Sequence, residues 1–121
     1  MIEQLRGFPD DVLAFTYSGH ITKAEFERVL LPVVHTALQK AKGIRLYCAV
    51  ASDFSGLEPG AIWEDLKIGV GHLARWERVA VVTDLNWLEH TTRLLNFVIP
   101  GQMKSFAAAE ATQARSWVTA Q

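Results

Sequence analysis

The run Arg78-Val79-Ala80-Val81-Val82-Thr83 constrains this chain more than any other segment. It is nearly continuous in apolar and β-branched residues, so it reads as a strand with no polar face to offer solvent. Such a strand needs cover on both faces, the usual condition of a parallel strand in an α/β sheet. Ile44–Val50 is a second apolar strand of this kind. Segments with helical spacing separate these strands, and that order predicts parallel strands joined by right-handed helical crossovers.

The remaining elements follow from local pattern. Residues 2–5 and Val12–Tyr17, separated by Gly7-Phe8-Pro9-Asp10-Asp11, predict an initial β-hairpin. Thr22 with Glu25 three residues later forms a capping box, after which Phe26, Val29, Leu30, Val33, Ala37, Leu38 and Ala41 mark one helix face up to Gly43. Pro32 removes a backbone hydrogen bond inside this helix, at about 3 kcal/mol in an ideal one, and predicts a kink or a helix break near Leu31. A second helix is predicted over 61–76 through Ile62, Leu66, Gly69, Val70 and Leu73. Asp84 is placed to cap a third, with Trp87, Thr91, Leu94, Leu95 and Val98 as its inner stripe and Ile99-Pro100-Gly101 as its end. A short strand at 103–106 and a helix at 109–119, burying Ala114, Trp117 and Val118, complete the chain. The expectation is one α/β domain over 1–121: a five-stranded, mostly parallel mixed sheet with an initial antiparallel strand and four main helices.

Composition narrows the function classes. At 121 residues, half of them hydrophobic, the chain suits one core. A formal charge of −1 and the lack of a Lys/Arg run argue against nucleic acid as a partner. Cys48, the single cysteine, lies mid-strand where a thiol is inert core, and excludes an internal disulfide. The first residues lack a signal-peptide pattern and no uncharged apolar run approaches the ~20 residues of a membrane span, so a soluble cytoplasmic protein is expected. His20, His35, His72 and His90 form no ligand pair at helical spacing, which predicts no metal site. Glu64-Asp65 and Glu89-His90 are not tied by spacing to a nucleophile, and no cofactor or enzymatic activity is expected. Gly69-Val70-Gly71-His72-Leu73-Ala74 has dinucleotide-fingerprint spacing but sits inside a helical pattern instead of at a strand-to-helix turn, where the mechanism needs it.

Aromatic residues supply the strongest site candidates. Trp63 and the row Ile68, His72, Trp76 lie on flanks of the second predicted helix, with Trp87 and Phe97 on the third. Together Trp63, His72, Trp76, Trp87 and Phe97 are expected to wall an apolar ligand pocket with His72 as one of few polar groups. Core or dimer-interface packing is the other use of such rings. The apolar stretch from Leu94 to Gly101 is a candidate hydrophobic lip.

Gly60-Ala61-Ile62-Trp63-Glu64-Asp65-Leu66-Lys67, then Arg78-Val79-Ala80-Val81-Val82 before Asp84 and Trp87, then Phe106 and Ala114-Arg115-Ser116-Trp117, give the chain a nearly end-to-end resemblance to the SpoIIAA-like family. That family is related to the STAS domains of anti-sigma-factor antagonists and sulfate-transporter tails. The resemblance implies a STAS-like fold, no assigned catalytic activity, self-association as a homodimer, and binding of a small lipophilic ligand or peripheral contact with a membrane. In the antagonists the loop after the third strand reads Asp-Ser-Ser-Gly-Leu, with the second serine phosphorylated to release a partner. The matching residues here are Asp53, Phe54, Ser55, Gly56 and Leu57, so Ser55 falls at the phosphorylated position while Phe54 departs from the motif.

Overall fold

The computed structural model describes residues 1–40, 43–60, 76–88, 90 and 102–120. Its main sheet has five strands in the order β1-β2-β4-β6-β7: β1 (Ile2–Gln4), β2 (Val12–Tyr17), β4 (Ile44–Val50), β6 (Trp76–Val82) and β7 (Gln102–Phe106). β1 runs antiparallel to β2, and the other pairings are parallel. The mixed sheet and its antiparallel first strand are as the sequence predicts. A parallel pair unforeseen in the sequence, β3 (His20–Ile21) with β5 (Gly56–Leu57), lies beyond the carboxyl ends of β2 and β4.

The central strands are covered on both sides, as the apolar run requires. Leu13, Phe15, Ile44, Val79 and Val81 join one buried cluster with Phe26, Leu30 and Val34. Val12, Ala14, Tyr47, Ala80 and Val82 point the other way, into a second cluster with Ala114 and Val118. The two-residue alternation of side chains thus divides each strand between two cores. The second cluster is closed by α3 (Ala111–Thr119), preceded by a 3₁₀ turn at Ala108–Glu110. Arg45 and Arg78 donate to the carbonyls of Val118 and Trp117 at 3.0 and 2.6 Å, neutralising the carbonyl end of α3.

The first helical segment comprises α1 (Lys23–Glu25), a π turn at Phe26–Leu30 and α2 (Leu31–Lys40). Thr22 caps it, its hydroxyl accepting from Glu25 N at 3.2 Å. The reciprocal half of the expected capping box is replaced: the Glu25 carboxylate accepts from Ile2 N at 2.8 Å and lies 3.6 Å from the Met1 amino group. Where a kink or helix break is expected near Leu31, the structure has a π turn just before Pro32, with Leu31 N donating to Phe26 O across five residues. Widening the ladder there accommodates a residue that has no N–H to give and whose ring crowds the preceding turn.

Two placements correct the sequence reading. Trp76, expected at the end of a helix, is the first residue of β6 and pairs with Ile44 through a register irregularity between Ile44 and Arg45. Trp87, expected on an inner helical stripe, is 50% exposed, while Leu85 and Leu88 pack against the core in its stead. The helix starts at Asn86, and Leu88, one position on from Trp87, takes the inward place. Of the four predicted helices, those over 61–76 and 84–98 fall largely outside the described residues.

Candidate functional site

The carboxyl edge of a parallel sheet is where strand ends, loops and helix starts converge on a ligand. Here that edge is built around Phe54. Tyr17 ends β2, and Ala51 N donates to Tyr17 O at 2.9 Å, which starts the loop after β4 beside β2. Phe54 N then donates to Ala51 O at 3.1 Å, Ser55 N to Gly19 O at 2.9 Å and Glu58 N to Ile21 O at 2.8 Å. Asp53 Oδ1 accepts from Gly19 N at 3.3 Å. Gly19 and Gly56 have φ of 62° and 127°, left-handed values that a Cβ disfavours, and they allow the two segments to lie side by side as β3 and β5.

This frame fixes the Phe54 ring, 8% exposed, between two other aromatics. Tyr17 is tilted against it with centroids 6.1 Å apart, and Trp87 stacks on it at 5.9 Å with 17° between planes. The turn that presents Trp87 is also tied down. Thr83, buried, donates its N–H to Phe106 O at 2.8 Å and accepts from Leu85 N through its hydroxyl at 3.0 Å. Asp84, expected to cap the helix after it, accepts through Oδ1 from Ala108 N at 2.9 Å, at the start of the 3₁₀ turn. Half of the Trp87 surface faces solvent over a rigid, mostly apolar base.

The sequence-predicted residues divide. Trp63, His72 and Phe97, and the stretch 94–101, lie outside the described residues. Trp76 opens the seven-residue β6, a strand of about 20 Å, and Trp87 follows five residues after its far end. Trp76 is 9% exposed within the first core cluster, and its indole N–H has no hydrogen-bond partner among the described residues. Ser55 is exposed at the aromatic edge, next to Phe54. Phe54 and Tyr17 were missed as site residues. The signal for Phe54 was its departure from the antagonist motif, because a phenyl ring in a polar turn needs a partner to pack on.

Among the described residues no three His, Cys, Asp or Glu side chains are grouped to hold a metal ion, and Cys48 is buried and in no disulfide. No described helix is long and apolar enough to cross a membrane. Tyr47 lies on the opposite sheet face, where burial pushes its phenol above the usual tyrosine range against the pull of the Arg115 guanidinium.

A family model described as SpoIIAA-like matches residues 12–119. No curated protein matches the chain. Among solved structures it is similar to the crystal structure of an uncharacterized protein from the DUF3478 family with a SpoIIAA-like fold from Shewanella loihica PV-4, at 30% identity and a TM-score of 0.77. That alignment covers 98% of this chain and 92% of the other. A fold of this kind supports a binding or protein-interaction module in general. The family match runs from the first residue of β2 to the last of α3 and takes in every parallel strand and the carboxyl-edge loop, so the chain belongs to the SpoIIAA-like family.

Proposed function

We propose that this protein is a non-enzymatic binding domain whose recognition surface is the aromatic edge formed by Tyr17, Phe54 and Trp87, and that it takes a small lipophilic ligand. The observation that carries this reading is the half-exposed Trp87 ring stacked on the buried Phe54 ring at the carboxyl end of the sheet. A large aromatic that is half solvated yet held in place offers apolar contact area at little cost in side-chain entropy, the property that makes such rings strong binding anchors. Peripheral contact with a membrane would use the same ring, and the homodimer implied by the family belongs to the same proposal.

The test is a titration with a neutral apolar fluorophore, N-phenyl-1-naphthylamine, on the protein and on Trp87→Ala, with native mass spectrometry of the protein from its own cells to count subunits and detect a retained molecule. Saturable probe binding lost in Trp87→Ala is the expected result. Equal binding by both proteins would move the site elsewhere, and no binding by either would end the ligand reading.

A second reading is a phosphorylation-switched interaction module acting through Ser55. Its support is that Ser55 is exposed and adjoins Phe54. A phosphate there would add nearly two negative charges at the rim of the aromatic surface. Ser55→Asp would then abolish capture of a protein partner, whereas a ligand-only role leaves fluorophore binding within about twofold of the parent.

A further inference from the structure

The charges around the aromatic edge are unequal. Among the described residues, the segments that build it, 17–23, 51–60 and 83–88, carry three carboxylates, Asp53, Glu58 and Asp84, against the Lys23 ammonium, and the Met1 amino group, shared with Glu25, donates to Ser18 O. Lys23 Nζ lies 3.7 Å from Glu27, which offsets its charge locally, and His20 is exposed. Asp53 directly precedes Phe54 and Asp84 stands three residues before Trp87, and both are exposed. Each uses one oxygen to accept a backbone N–H, from Gly19 and from Ala108, which holds it at the rim.

The face of an indole ring is itself electron-rich and attracts cations, most strongly among the aromatic side chains. An exposed tryptophan on an edge whose described segments carry an excess of carboxylates therefore favours one charge type. We infer that the ligand of this edge is a small lipophilic organic cation, such as a quaternary ammonium or phosphonium compound or a protonated amine with apolar substituents. This rests on the proposal that the edge binds lipophilic molecules and adds the sign of their charge. Its apolar groups pack on Trp87 and Tyr17 while its charge faces the indole and the rim carboxylates. A lipophilic anion meets the same apolar surface with both electrostatic contributions reversed.

Tetraphenylphosphonium and tetraphenylborate have nearly the same shape and opposite charge, so their comparison isolates the sign. Isothermal titration calorimetry in sodium buffer should give tetraphenylphosphonium at least about fivefold tighter binding, an advantage that shrinks about two- to threefold between ~20 and ~200 mM salt as screening sets in. Asp53→Asn and Asp84→Asn, which keep the oxygen acceptors, should each reduce the preference for phosphonium over borate about two- to threefold. The salt series on the unaltered protein gives the answer even where a variant folds poorly. Equal affinity for the two ions, or preference for the borate, overturns the charge assignment and leaves the lipophilic site standing. Binding of the neutral fluorophore without either ion does the same. Failure of all three probes removes the site together with its charge preference.

Discussion

The Glu25 carboxylate accepts the backbone N–H of Ile2 at 2.8 Å, joining the first turn of the helical segment to the edge strand β1. A three-residue strand on a sheet edge has few bonds of its own, so this one matters to whether β1 stays paired. Hydrogen bonds to a charged group contribute about 1.5–3 kcal/mol, and Glu25→Ala should cost about 1–2 kcal/mol in urea denaturation. Amide exchange at Ile2 should accelerate more than exchange in β4. Unchanged exchange at Ile2 would show that the carboxylate does not anchor the strand.

Phe54 and Trp87 share a stack but not a burial state, and their truncations should differ. Phe54→Ala removes a buried ring and should cost about 3 kcal/mol, near the lower end for core phenylalanines because the site is at an edge. Trp87→Ala should cost about 1 kcal/mol, the scale of an aromatic pair. Chemical denaturation of both variants checks this order. A Trp87→Ala penalty equal to that of Phe54→Ala would mean that Trp87 is core and not a presented surface.

Trp76 buries an indole N–H for which no described residue provides an acceptor. Replacing it by phenylalanine keeps a ring and removes the unpaired donor, so Trp76→Phe should leave stability within about 1 kcal/mol of the parent or raise it. Trp76→Ala should cost about 3–5 kcal/mol through the cavity it leaves. Thermal melts compare the two. A phenylalanine variant as damaged as the alanine variant would show that the N–H has an acceptor in solution.

Burial raises the Tyr47 phenol in the folded protein, and the sign of its linkage follows. Below pH about 10 the phenol is neutral in both states and its contribution is fully present. Above that, the unfolded chain ionises first, the folded state holds more protons, and stability falls as pH rises toward the folded value. Denaturation across alkaline pH should show this decline, and Tyr47→Phe should flatten it. An equally steep decline in the variant would assign it to other groups.

The sequence by itself determined the elements whose signals are local. Alternation and turn residues define Val12–Tyr17, the apolar runs define Ile44–Val50 and most of Trp76–Val82, and Thr22 marks the helix start. The need to cover apolar strands on two faces carries these to a mostly parallel sheet, and the motif spacing carries them to the family. Only the tertiary structure decided where particular side chains go. Glu25 has the right spacing for a capping box, yet Ile2, distant in sequence, offers its N–H close by. Asp84 likewise accepts from the backbone of Ala108, 24 residues away. Trp76 fits a helical row by spacing but gains a strand partner in Ile44, and Trp87 faces outward while Leu85 and Leu88 pack on the core. Phe54 is a loop residue in sequence and a stacking platform only once β2, β4 and β6 end at the same edge. Hydrophobic period reports which face a residue occupies within its own element; which other element meets that face is a long-range property that no local pattern contains.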